Sequence, residues 1–148
     1  MNRTANPPSG TQLPREAAPL RVLCVEDAEF VHQLYRVAFR RRGGVVSFEA
    51  HDGLEALKVL DRQGPVDLAI VDVNMPVMDG LEFLSHLRRQ PAHAQTWVLL
   101  ATTEDLRGTV KAALGSGRSE FLRKPFTLEE FTARLDAVVA SLGARVRP

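Results

Sequence analysis

Hydrophobic residues recur along the chain in short blocks that alternate between two kinds of spacing. Five compact, mostly apolar blocks have the character of buried strands, and they are LRVLCV (20–25), VVSFEA (45–50), VDLAIV (66–71), WVLLA (97–101) and FLR (121–123). Apolar residues three or four positions apart follow each block and predict amphipathic helices. The pattern therefore predicts five strands that alternate with five helices.

Glycines and charged residues mark several helix ends. The first helix is predicted to begin near Phe30 and to end at Gly43-Gly44, and the arginines of its last turn suit the helix dipole. The later helices are predicted over residues 53–60, 81–89, 106–114 and 128–142. The helix over 106–114 has the weakest pattern, because Gly108 lies inside it.

Five strand–helix pairs with short connections predict an α/β fold. They require a parallel sheet with helices on both faces, and the strands agree because they are apolar without strict alternation. We expect one folded domain over residues 20–142. Residues 1–19, rich in proline and small polar residues, are expected to be a disordered N-terminal tail, and residues 143–148 a short C-terminal tail that leaves no room for an output domain.

The composition excludes several classes of protein. Of the 148 residues, 45% are hydrophobic and 25% are charged, and the net charge of +1 gives no general attraction to nucleic acid or anionic membranes. No apolar run is long enough to span a bilayer, and the first residues lack the apolar stretch of a signal peptide. The single cysteine, Cys24, excludes an intramolecular disulfide. We therefore expect a cytoplasmic protein without a membrane span.

Polar residues follow four of the predicted strands. Glu26 and Asp27 come after the first strand, Asp72 after the third, Thr102 after the fourth and Lys124 after the fifth. Because the carboxyl ends of parallel strands meet at one edge of the sheet, these side chains are expected to converge. Three carboxylates would repel one another unless a hard cation such as Mg²⁺ lay among them. With metal and lysine to screen its charge, a carboxylate can attack phosphorus and form an acyl phosphate.

Several segments resemble the receiver domain of response regulators in two-component signalling. They are VLCVEDAEF (22–30), HDGLEALKVL (51–60), DLAIVDVNMPVMDG (67–80), LLATTED (99–105) and FLRKPF (121–126). The resemblance covers about residues 20–142, and DVNMPVMDG is its most specific motif. It implies a flavodoxin-like, doubly wound sheet of five parallel strands in the order 2-1-3-4-5, built by a (βα)5 chain path.

The resemblance implies that Asp72 is the phosphoacceptor. Mg²⁺ or Mn²⁺ would then be held by Asp72, directly by Asp27, through water by Glu26, and by the backbone carbonyl of Asn74. Glu26 departs from the Asp-Asp pair that is commoner in the family. On its own, Glu26-Asp27 is better explained as the start of a helix, where acidic residues are favoured. The presence of Asp72 and Lys124 favours the metal site.

The resemblance also assigns a switch. Thr102 would be the hydroxyl that bonds the phosphoryl group, and Thr103 is the weaker candidate for that role. Lys124 would pair with Asp72 or its phosphate, and the peptide bond before Pro125 would be cis. Phe121 stands at the position of the aromatic residue that swings inward on activation, although a core aromatic explains it as well.

Phe30 and the histidines lie outside this set of residues. Phe30 lies in the first turn of the first helix, beside the predicted site, where receivers dock their histidine phosphodonor, although a core position is the alternative. The four histidines, His32, His51, His86 and His93, show no spacing typical of metal ligands and are expected at the surface.

The resemblance implies a signalling protein rather than an enzyme. It would take a phosphoryl group from a histidine kinase or histidine phosphotransfer protein. It would then either bind a target through the face formed by the predicted fourth helix, the fifth strand and the last helix, or pass the phosphoryl group onward. No DNA-binding domain is expected. A receiver-like scaffold that is never phosphorylated is the alternative, and a phosphatase is disfavoured because Asn74 interrupts the Asp-x-Asp motif such enzymes use.

Overall fold

A single parallel sheet organises the computed structural model, which describes residues 18–103 and 118–146. The strands are β1 (Leu20–Val25), β2 (Val45–Ala50), β3 (Leu68–Asp72), β4 (Trp97–Thr102) and β5 (Ser119–Arg123). Their order is β2-β1-β3-β4-β5, and every neighbouring pair is parallel. This confirms the predicted α/β class and the flavodoxin-like strand order 2-1-3-4-5.

Helices connect these strands. They are α1 (Glu29–Arg42), α2 (Gly53–Gln63), α3 (Gly80–Arg89), a 3-10 turn (Pro91–His93) and a C-terminal helix (Leu128–Val146). The helix predicted over 106–114 lies outside the described residues. The C-terminal helix continues past Leu142, where the apolar pattern stopped, into the segment expected to be a tail. Because no proline lies between Leu142 and Pro148, the helical backbone can continue after its apolar face ends. Among the described residues, no helix combines the length and apolarity needed to cross a membrane.

Both faces of the sheet are buried. Successive side chains of a strand point to opposite faces of the sheet. Leu23 and Val25 of β1 therefore pack in a hydrophobic cluster with residues of α2 and α3. Val22 packs on the other face, in a second cluster with residues of α1 and the C-terminal helix. Tyr35 of α1 and Phe131 of the C-terminal helix lie in this second cluster, with ring centroids 4.7 Å apart. Burial on both sides explains why the central strands β1, β3 and β4 show no polar face.

The turn after β3 is held tightly against the end of that strand. The amide of Gly80 donates a hydrogen bond of 2.9 Å to the carbonyl of Val73. A β-carbon at position 80 would lie 2.3 Å from the carbonyl oxygen of Asp72, so only glycine fits there. The start of α3 therefore fixes the backbone at Asp72.

Candidate functional site

Three carboxylates meet at the carboxyl edge of the sheet. Glu26 and Asp72 are buried, Asp27 is exposed, and one oxygen from each lies within 4.8 Å of the others. In the part of the chain that the structure describes, this is the only group of three or more histidine, cysteine or acidic side chains that converges so closely. The strand ends bring these residues together as the sequence predicted.

Lys124 joins the same cluster from the end of β5. Its Nζ lies 3.0 Å from Oε1 of Glu26 and 3.4 Å from Oδ1 of Asp72. The backbone amide of Lys124 donates to the carbonyl of Thr102 at 2.8 Å, which ties the ends of β4 and β5 together. The bond between Lys124 and Pro125 is cis, as the resemblance implied. The lysine thus bridges two carboxylates, with the shorter contact to Glu26.

One lysine does not neutralise this site. Burial, and then the charge of Asp72, raise the pKa of Glu26 despite its hydrogen bond from Lys124. Burial also raises the pKa of Asp72, against the opposing charge of Lys124. Burial alone would lower the pKa of Lys124, but its hydrogen bond and ion pair with Glu26 raise it. Two buried carboxylates therefore share one cation and would gain from another positive charge.

The donor set fits a hard divalent cation. Carboxylate oxygens are the ligands that Mg²⁺ prefers, and it usually keeps several waters, which the exposed Asp27 would leave room for. Asn74, whose backbone carbonyl was predicted as a ligand, is exposed just after β3, and its backbone amide bonds the carboxylate of Asp72. These residues could therefore hold Mg²⁺ or Mn²⁺.

Thr102 and Phe121 occupy different environments near the acidic cluster. Thr102 ends β4 and is buried, and its neighbour Ala101 pairs in register with Asp72, whereas Thr103 is exposed. Phe121 is half-buried against the hydrophobic cluster beneath α2 and α3, and its carbonyl accepts a hydrogen bond from Arg134. Partial burial suits both a core aromatic and a switch residue, so both interpretations stand.

Outside the acidic cluster, burial agrees with one expectation and contradicts another. Phe30 is 73% exposed beside the site, so it is not a core residue. The expectation that the histidines lie at the surface was wrong for His32 and His93, which are buried. The sequence did carry a signal for His32, because it precedes Tyr35 and Phe39 at helical spacing on the buried face of α1.

The loop after Asp72 contains a strained residue. Val77 has a φ of 68°, in the left-handed region that β-branched residues avoid, and its side chain is 76% exposed. Replacing it with Asn, which tolerates this conformation, is expected to raise the free energy of unfolding by about 1 kcal/mol. Urea denaturation would measure the change. Val46→Asn is the control, because Val46 is exposed on β2 with extended backbone; an equal gain there would contradict the explanation.

Comparison with known proteins identifies the family of this fold. A family model described as "Response regulator receiver domain" matches residues 22–136, so the chain belongs to the response regulator receiver domain family. The high-resolution structure of the chemotaxis response regulator CheY4 of Vibrio cholerae superposes with a TM-score of 0.71 at 33% identity, covering 81% of this chain and 98% of that one.

Two of the similar proteins differ in how much of their length this chain covers. The probable chemotaxis protein CheY of Rhizobium etli is 33% identical over 126 residues, which are 85% of this chain and 97% of that protein. The transcriptional regulatory protein TrcR of Mycobacterium tuberculosis is 36% identical over 141 residues, which are 93% of this chain. The chain spans about half of TrcR, because those residues are 53% of its length. The shared part is therefore the receiver domain of two-component signalling.

Proposed function

We propose that this receiver domain accepts a phosphoryl group on Asp72 from a histidine kinase or histidine phosphotransfer protein and signals through changed protein contacts. The observation that carries the proposal is the position of Asp72. It is buried at the end of β3, with Lys124 Nζ at 3.4 Å and oxygens of Glu26 and Asp27 within 4.8 Å. Lys124, and a cation held by the carboxylates, would screen the negative charge of a phosphoryl group that approaches Asp72.

In the proposed reaction, a carboxylate oxygen of Asp72 attacks phosphorus as the bond from phosphorus to the donor nitrogen breaks. Mg²⁺, when bound, would offset negative charge on the transferred group. Asp27 would hold the metal directly, Glu26 through water, and Asn74 through its backbone carbonyl. Lys124 is close enough to turn from Glu26 toward the new phosphoryl oxygens.

We propose that Thr102 and Phe121 carry the effect of phosphorylation from Asp72 to the protein surface. A phosphoryl group on Asp72 offers oxygens that the hydroxyl of Thr102 can bond, since Thr102 ends the neighbouring strand. Movement of Thr102 would change the space beside Phe121, which lies on the adjacent β5. We propose that a target protein recognises the changed face around β5 and the C-terminal helix, in the cytoplasm, without enzymatic turnover of a separate substrate.

Phosphorylation by acetyl phosphate tests the proposal. The wild-type protein and Asp61→Ala, which removes an exposed acid on α2, are expected to gain one phosphoryl group in Mg²⁺ buffer. Asp72→Ala is expected to gain none, and excess EDTA should prevent the reaction in wild type and Asp61→Ala. Equal labelling of Asp72→Ala, or labelling unaffected by EDTA, would contradict the proposal. A panel of histidine kinases, assayed with the same variants, would then identify the donor.

A receiver-like scaffold that is never phosphorylated is the second candidate function. The grouping of Asp27, Asp72 and Lys124 disfavours it, because a scaffold has no use for a cluster in which Asp72 and its neighbour Glu26, both buried, repel each other. The cellular activity of Asp72→Ala separates the two candidates. A scaffold would keep its activity, whereas a phosphorylated switch would lose its response to the signal.

A further inference from the structure

His32 is a buried imidazole beside the acidic cluster. It lies on α1 with 0% exposure, and its Nε2 is 2.7 Å from the backbone carbonyl oxygen of Glu26. The rings of Tyr35 and His51 contact it edge-on, with centroids 6.5 Å and 5.2 Å away. The orientation of the imidazole is therefore fixed by packing as well as by its hydrogen bond.

The hydrogen bond defines which nitrogen carries the proton. A carbonyl oxygen only accepts, so Nε2 of His32 must be the N–H donor. Its Nδ1 is buried without a hydrogen-bond partner, and the nearest carboxylate oxygen, Oε1 of Glu49, is 4.0 Å away. An unpartnered buried nitrogen costs stability, and an apolar side chain would avoid that cost. Packing alone therefore does not account for a histidine here.

The bond from His32 holds the peptide unit between Glu26 and Asp27, and two further bonds hold the peptide units on either side of it. The amide of Glu26 donates to the carbonyl of Ala50 at 3.0 Å, and its carbonyl accepts from His32. Oε2 of Glu26 also accepts from the amide of Ala28 at 3.1 Å. Asp27 lies between these anchors and is itself exposed, so burial does not hold its carboxylate. The direction of Asp27 depends on the plane of the peptide that His32 holds.

We propose that His32 is a positioning residue for the divalent-cation site, acting through the Glu26 carbonyl to aim Asp27. The inference rests on the proposed function, because it assumes that Asp27 binds the metal. Groups that orient metal ligands without touching the metal commonly change affinity strongly. The expected effect is therefore on metal affinity.

A matched pair of substitutions isolates the hydrogen bond. His32→Gln places an amide N–H the same number of bonds from the backbone as Nε2, and His32→Met has the same length without a donor. Mn²⁺ binding to purified protein, measured by the electron paramagnetic resonance of the free ion, is expected to weaken about 10-fold in His32→Met. His32→Gln is expected to stay within about 3-fold of wild type, because it keeps the donor. Circular dichroism at the same temperature checks that both variants are folded.

The controls separate this inference from the proposed function. Asp27→Asn should abolish tight Mn²⁺ binding. If the wild-type protein binds no Mn²⁺, both the metal site and the role of His32 are contradicted. If the wild-type protein binds Mn²⁺ but His32→Gln and His32→Met bind it with equal affinity, only the role of His32 is contradicted. If His32→Met does not fold, ¹⁵N NMR of the wild-type imidazole tests the inference by showing which ring nitrogen carries the proton. A proton on Nε2 is expected, and a neutral ring with its proton on Nδ1 would overturn the inference.

Discussion

Replacing Lys124 with Met is expected to lower the free energy of unfolding by about 2–4 kcal/mol in metal-free buffer. The substitution removes the cation that lies 3.0 Å from Glu26 and 3.4 Å from Asp72. Both carboxylates are buried, so neither can recover full hydration in the folded state. Urea denaturation in EDTA measures the loss.

Lys58→Met provides a matched control for this prediction. Lys58 is exposed on α2, so its loss should change stability by less than about 0.5 kcal/mol. Mg²⁺ should restore part of the stability of Lys124→Met, because a divalent cation replaces the missing positive charge. Equal losses in the two lysine variants would show that the buried ion pair does not stabilise the site.

Asp72→Asn is expected to abolish phosphorylation and yet raise the free energy of unfolding by about 1–2 kcal/mol in metal-free buffer. The amide is close in size to the carboxylate but removes one of the two negative charges that share Lys124. Asp61→Asn, at an exposed position on α2, is the control and should leave stability unchanged. A fall in the stability of Asp72→Asn would contradict the charge repulsion inferred at the site.

The gain from Asp72→Asn should depend on pH in a defined direction. Burial raises the pKa of Asp72 above its unfolded value, so the folded state binds the proton more tightly than the unfolded state does. The cost of the ionised carboxylate is fully present above the folded pKa and disappears as the pH falls through it. The stability difference between Asp72→Asn and wild type should therefore be largest at neutral pH and shrink in acid. A stability difference that grew as the pH fell would contradict the raised pKa of Asp72.

The fold and the residues of the site could be predicted because their signals are local. The central strands are short, mostly apolar blocks, and β1 was predicted at the residues where the structure has it. Asp72 and Lys124 were predicted to meet because parallel strands end at a common edge. Such inferences need only the order of elements and the residues at strand ends.

The sequence could not predict features that depend on distances between side chains. That Lys124 lies closer to Glu26 than to Asp72 follows from side-chain conformations and the depth of burial, neither of which has a local pattern. The bond from His32 to the Glu26 carbonyl was missed for a related reason. Helical spacing places His32 on the buried face of α1, but only the packing of α1 against β1 aims its ring at that carbonyl.

The most direct test of the account is to locate the phosphoryl group. The protein would be phosphorylated with acetyl phosphate in Mg²⁺ buffer and reduced with borohydride, which converts an aspartyl phosphate to homoserine. Peptide mass spectrometry then identifies the modified residue. We expect a single modification, at Asp72. Modification at Glu26, Asp27 or any other residue, with Asp72 unmodified, would contradict it.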